Sequence, residues 1–135
     1  IDAISGNSLE LIVDLESEAT EYGVKVCVSP DGEEQTVISF DPIEAALKID
    51  THRSGPKDSP KHIESAPFSL AENEHLQLRI FIDKSVVEVF TNNRQAIMRR
   101  IYPARPDSFG VRLFSKGGSV KANLQSWHIS PSNPY

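Results

Sequence analysis

The stretch Leu76-Gln77-Leu78-Arg79-Ile80-Phe81-Ile82-Asp83-Lys84-Ser85-Val86-Val87-Glu88-Val89-Phe90 decides the fold. Leu76, Leu78, Ile80 and Ile82 alternate with Gln77, Arg79 and Phe81, the period of a strand buried on one face. Asp83-Lys84 interrupts the pattern. Val87 and Val89 resume it on a returning strand, with Val86, Glu88 and Phe90 on the other face. Asn92-Asn93 follows as a two-residue hairpin turn, because Asn tolerates the left-handed backbone region. Gln95 to Tyr102 returns a third time and carries Ile97, Met98 and Ile101. Three strands joined by tight turns make a meander, the natural unit of an antiparallel sheet.

The same period extends to both sides of this core. Leu9, Leu11, Val13 and Leu15 share one strand face, and Val24, Val26 and Val28 share another within Tyr22 to Ser29. Cys27 sits inside that second run and reads as a buried or half-buried thiol. Pro30-Asp31-Gly32 supplies a turn. Gln35 to Phe40 and Ala45 to Asp50 are short strands that pair across Asp41-Pro42-Ile43-Glu44. Thr51 to Pro67 is polar, carries Pro56, Pro60 and Pro67, and reads as a loop of roughly 15 residues, a length usually reserved for functional segments or flaps. Phe109 to Ser115 is a further strand, closed by a hairpin turn at Lys116-Gly117-Gly118. In the last strand the apolar phase passes from Val120, Ala122 and Leu124 to Trp127 and Ile129, as if a bulge re-aimed the side chains. The expected architecture is all-β: a two-sheet antiparallel β-sandwich of about ten strands, with a closed barrel as the alternative.

Composition narrows the function. The 135 residues fit one domain, and a chain of that length holds its own core. The net charge of −5 opposes a nucleic-acid partner, which needs a basic face, even though Arg94, Arg99, Arg100, Arg105 and Arg112 bunch late in the chain. Those arginines read as a solvated strand face. No run approaches the roughly 20 apolar residues of a membrane helix, and no signal peptide is visible. The chain begins Ile-Asp-Ala, without Met, and so reads as a cut from a longer protein; secretion and a cytoplasmic home both stay open. The single cysteine, Cys27, makes no internal disulfide and leaves the compartment open as well. His52 and His62 lie ten residues apart in an irregular segment with no cysteine near them, so no metal site is expected, and no cofactor.

The run from Leu78 to Phe90 is more specific than a generic hairpin. Its Asp83-x-Ser85-x-x-Glu88-Val89-Phe90 core resembles the hallmark of the C-terminal β-sandwich of glycoside hydrolase family 32, the invertases, levanases, inulinases and related β-fructosidases. Tyr102-Pro103 follows at a suitable distance. Ile49-Asp50-Thr51-His52-Arg53-Ser54-Gly55 is similar to the family's Asp-Arg-x-x-Ser-Gly stretch, with a small departure in spacing. The resemblance runs from about Leu9 to Ile129 and implies a jelly-roll or concanavalin-like sandwich. It also implies an N-terminal five-bladed propeller, carrying the catalysis, as the partner of this domain. The family draws its nucleophile and general acid, about 5 Å apart across the scissile bond, from Asn-Asp-Pro-type and Glu-Cys-type motifs, and grips the sugar with an Arg-Asp-Pro motif. None of the three occurs here; Arg105-Pro106-Asp107 has the letters in another order. The resemblance therefore implies the non-catalytic module of a sucrose or fructan hydrolase.

The residues themselves carry further expectations. Asp83 and Glu88, five apart, should project to opposite faces of a regular strand, which opposes a shared cleft. Asp83 and Ser85 should bond turn N–H groups, and Glu88 should pair with Arg99 on the next strand. No catalytic residue is assigned. Trp127, Tyr102, Arg99 and Arg100 are the candidates for contact with carbohydrate or with a second domain. The readings to be separated are a stabilising module on the propeller, with a candidate homodimer contact, a fructan-binding module, and a free-standing enzyme.

Overall fold

Alternating apolar residues along nearly the whole chain demand two faces that cover one another, and the structure, a computed structural model, supplies them. It describes residues 8–55, 62–83, 86–101 and 110–128, with the backbone alone at 8–9 and 126–128. Ten strands occur among these residues: β1 Ser8–Ser17, β2 Glu21–Val28, β3 Thr36–Asp41, β4 Ala46–Asp50, β5 Ile63–Pro67, β6 Leu76–Asp83, β7 Val86–Thr91, β8 Gln95–Arg100, β9 Gly110–Lys116 and β10 Val120–His128. They form two five-stranded sheets, ordered β10-β1-β6-β7-β8 and β5-β4-β3-β2-β9. Every paired neighbour is antiparallel. The two-sheet reading holds, and the three-strand meander is β6-β7-β8.

The core lies between the sheets. Leu11, Val13, Leu15, Leu76, Leu78, Ile80, Ile82, Val87 and Val89 come from one, and Tyr22, Val24, Val26, Ile38, Phe40, Leu47, Ile49 and Val111 from the other. At one end Tyr22, Phe40 and Phe68 meet edge to face, with centroids 5.8 and 5.6 Å apart, the arrangement aromatic quadrupoles favour.

Four local expectations are corrected. Lys116-Gly117-Gly118 is not a hairpin: β9 and β10 belong to different sheets, so the connection arches across the core edge. It stacks on a second arch, Glu18–Thr20, between β1 and β2. Thr20 N–H and Oγ1 both donate to Lys116 O at 2.9 Å, and Ser17 Oγ donates to Ser119 O at 2.6 Å. A Cβ at Gly117 would come within 2.9 Å of Thr20 Oγ1, and Gly117 has a φ of +76°, so the glycine lets the arches touch. β10 contains no bulge; its pairing with β1 runs unbroken from Leu9 opposite His128 to Ser17 opposite Val120. The bulge is in β2, where the register with β9 shifts between Lys25 and Val28 and Cys27 takes a φ of +51°. That kink buries Val26, Cys27 and Val28 in succession, and burial with Glu34 nearby pushes the Cys27 thiol up to about 12. The segment read as one long loop contains β5, an edge strand whose alternately exposed residues carry no apolar signal; its last residue is Pro67, a position edge strands tolerate. Finally, Thr91 pairs with Gln95, so Asn92-Asn93-Arg94 make a three-residue turn rather than two, with both asparagines left-handed as expected.

Candidate functional site

The motif residues are positioned by the β6–β7 pairing. Asp83 lies opposite Val86, Ile82 opposite Val87, Phe81 opposite Glu88, Ile80 opposite Val89 and Arg79 opposite Phe90. Lys84 and Ser85, between Asp83 and Val86, lie outside the described residues. Val89 is buried between Ile80 and Ile97. Phe90 stands on the outer face, 38% exposed, its ring edge to face with Phe81 at 5.9 Å. The Arg79 guanidinium lies over the Phe81 ring at 5.1 Å and donates to Glu10 Oε2 at 2.6 Å.

Two expected pairings are overturned by this register. Asp83 and Glu88 do not face opposite ways. Asp83 pairs with Val86 and Phe81 with Glu88, so both carboxylates lie on the outer face as diagonal neighbours. Glu88 does not meet Arg99 either. Its partner on β8 is Met98, whereas Arg99 stands opposite buried Val87 on the inner face. From there Arg99 Nη1 reaches across to Glu64 Oε1 of β5, 3.6 Å away, and ties the two sheets together where their edge strands approach. The Arg99 Nε is buried without a hydrogen-bond partner among the described residues. Arg100 lies opposite Val86 and is exposed. Tyr102 falls outside the described residues. The Trp127 backbone pairs with Glu10, and its side chain is not among those described.

The second motif, Asp50 to Gly55, gathers at the same end of the sandwich as Asp83, away from the arches. The Asp50 carboxylate accepts the His52 N–H at 2.9 Å and lies 2.7 Å from His52 Nδ1. Buried Thr51 donates its hydroxyl to His62 O at 2.9 Å, and its N–H does the same. Arg53 donates to Gly32 O at 2.6 Å while its own carbonyl accepts Gln35 N–H at 2.9 Å. Ser29, Glu34, Gln35, Thr36, Thr51 and Ser54, most of the buried polar residues described, are concentrated here. The motif thus stitches the β2–β3 connection to the residues after β4, a structural use of its polar groups. Among the described residues no group of three His, Cys, Asp or Glu could hold a metal ion.

The opposite end holds an ion pair that no motif announced. Arg94, in the β7–β8 turn, donates to both Glu74 oxygens at 2.6 and 2.7 Å and to Ser69 O at 2.6 Å, and lies 4.8 Å over the Phe68 ring. Those bonds, with the Ala71 N–H and the Asn92 amide, hold the Glu74 carboxyl at about 2. A carboxyl depressed on folding contributes stability above its unfolded value that disappears as pH falls through the folded one. Urea denaturation of the wild type is therefore expected to show a midpoint that drops between the ordinary carboxylate range and about pH 2, with Glu74→Gln flattening the drop; parallel curves would refute it. His75 behaves oppositely. Its bond to Asp14, 2.8 Å from Nδ1, and the nearby Glu16 raise its imidazole above the ordinary value. Its contribution is present below that value and is lost as pH rises through the raised one.

Residues 2–130 match the family model described as "Glycosyl hydrolases family 32 C terminal". The sucrose-6-phosphate hydrolase of Zymomonas mobilis is 33% identical over 132 residues, covering 93% of this chain and 25% of that protein. The levanase of Bacillus subtilis is 34% identical over 133 residues, covering 92% of this chain and 19% of that protein. The chain therefore spans between a fifth and a quarter of the length of these curated relatives. Among solved structures, the exo-inulinase of Aspergillus awamori superposes with a TM-score of 0.83 at 24% identity, over 94% of this chain and 26% of that one, a likeness of fold.

Proposed function

Because the chain belongs to the C-terminal domains of family 32 glycosyl hydrolases, we propose that it is the non-catalytic β-sandwich of a β-fructosidase, one that packs on a catalytic propeller and stabilises it. The observation that carries this reading is the geometry of the motif carboxylates within a chain matched to that family. Asp83 and Glu88 lie on the outer face of a sheet, diagonal to one another. Neither lines the arch-end concavity or the hollow beside Phe81 and Phe90, whereas a retaining glycosidase sets its two carboxyls on either side of the bond it breaks, in a cleft that holds the sugar. The motif instead serves the fold: Val89 fills the core, and Asp50 to Gly55 fasten two loops.

The parent enzyme's substrate is then a β-fructoside, sucrose or a fructan, cleaved in a cleft that this chain does not itself furnish. The purified chain is expected to release no fructose from sucrose, inulin or levan above the buffer rate. Removing it from the enzyme that carries it should lower that enzyme's melting temperature by about 5 °C or more. Hydrolysis by the isolated chain that Asp83→Asn or Glu88→Gln abolishes would sink the proposal, as would a deletion that leaves the melting temperature unchanged.

A further inference from the structure

The two outer faces of the sandwich differ in kind. Ile12, Arg79, Phe90 and Ala96 stand side by side across β1, β6, β7 and β8, and Phe81, Glu88 and Met98 form the adjoining row. Three of the five exposed large apolar side chains described are here: Ile12 at 36%, Phe90 at 38% and Met98 at 60%. Phe81 and Phe90 present an aromatic pair, with Arg79 over one ring and Arg100 at the margin. The four strands β1, β6, β7 and β8 contain no lysine, Lys121 lying apart on the β10 edge of that sheet, while the other sheet carries Lys25, Lys48 and Lys116 on β2, β4 and β9. Aromatic residues, Met and Arg in the absence of Lys are the composition of a protein–protein contact rather than of a solvated sheet.

Resting on the function proposed above, we infer that the β1-β6-β7-β8 face, centred on Phe81, Phe90 and Met98, is the surface that docks on the catalytic domain. The relatives supply the occupant: in them a domain of this kind accounts for a quarter or less of the chain, so a much larger body shares the same polypeptide. A partner covering this face removes the Phe90 ring and the Met98 thioether from water together, and gives Arg79 and Arg100 carboxylates or carbonyls, and Glu88 a cation or N–H groups, to bind. The concavity at the arch end is a poorer seat for an apolar partner, because Glu16, Glu18, Glu74 and His75 line it.

Met98 is the single methionine of the chain, so it reports on this face alone. Dilute peroxide, followed by peptide mass mapping, should oxidise Met98 freely in the isolated chain and about tenfold more slowly in the full enzyme. Acylation of Lys25 and Lys48 on the opposite face should proceed equally in both. Protection of the lysines with Met98 still reactive would overturn the choice of face and leave the docking function standing. Protection of neither would overturn both. Concentration-dependent protection of Met98 in the isolated chain would assign the face to a second copy, and protection by added fructo-oligosaccharide would assign it to sugar; either result overturns the inference. As an independent arm, Phe90→Asp with Met98→Glu should lower the melting temperature of the full enzyme while leaving that of the isolated chain unchanged. An equal fall in both, or in neither, counts against it.

Discussion

Ile80→Ala is expected to cost the fold about 3–4 kcal/mol, while Phe81→Ala, one residue along the same strand, costs at most about 1 kcal/mol. Ile80 is fully buried at the centre of its sheet, opposite Leu11 on β1 and Val89 on β7. Truncating it removes three carbons from the packed interior and leaves a hole that neighbours locked in two sheets cannot collapse to fill. Phe81 points the other way, toward solvent, and loses only its edge contact with Phe90 and the stacked Arg79. At about 4 °C per kcal/mol for a domain of this size, the first variant should melt about 12–16 °C below the wild type and the second within about 4 °C of it. Thermal denaturation followed by circular dichroism reads both. Equal shifts would mean that the two faces of β6 are not differently buried, and the sandwich would be wrong.

Gly23→Val is expected to be as damaging, by crowding rather than by a cavity. Gly23 lies in β2 directly opposite Ser39 of β3, with Phe114 of β9 on its other side. A Cβ at this position would overlap Ile38 O and approach Ser39 Cα to 2.9 Å, both backbone atoms that no rotamer change can move. The strands would have to separate, and the ladder between them would weaken. A loss of about 3 kcal/mol or more is expected for valine, and a smaller one for Gly23→Ala. Gly23→Val melting within a few degrees of the wild type would show that β2 and β3 are not this close.

Most strands are legible in the sequence, because each of β1 to β4 and β6 to β10 sets an apolar series against a polar one. β5 was not. Ile-Glu-Ser-Ala-Pro pairs through its backbone on one side only and is half-exposed throughout, so nothing in its side chains reports the pairing. Alternation also says nothing about which sheet a strand joins. Gly117-Gly118 suits a hairpin and an arch equally well, and only the partners of β9 and β10 separate the two. The site followed the same pattern. Identifying Asp83, Glu88 and Phe90 needed only the spacing of the motif, whereas their common outer face needed the register, since the pairing of Asp83 with Val86 restarts the parity that links residue number to side. Arg94 with Glu74 was silent because twenty residues and two strands separate the partners. The outward position of Phe81 and Phe90 is legible in the alternation that groups them with Arg79 and Glu88; that their rings meet needed the register of β6 on β7.

The stacked arches have a consequence in time. They seat β10 against β1 and β9 against β2, so the first two strands among the described residues find their outer neighbours only in the last two, and Ser17 meets the carbonyl of a residue 102 positions later. Closing a loop that long precedes any reward from the contact, which makes such topologies slow to fold. On a ribosome, β1 and β2 wait with open edges until nearly the whole domain has emerged. During that interval β1 is paired on its β6 edge alone, and the arrival of β10 is the event that closes its other edge.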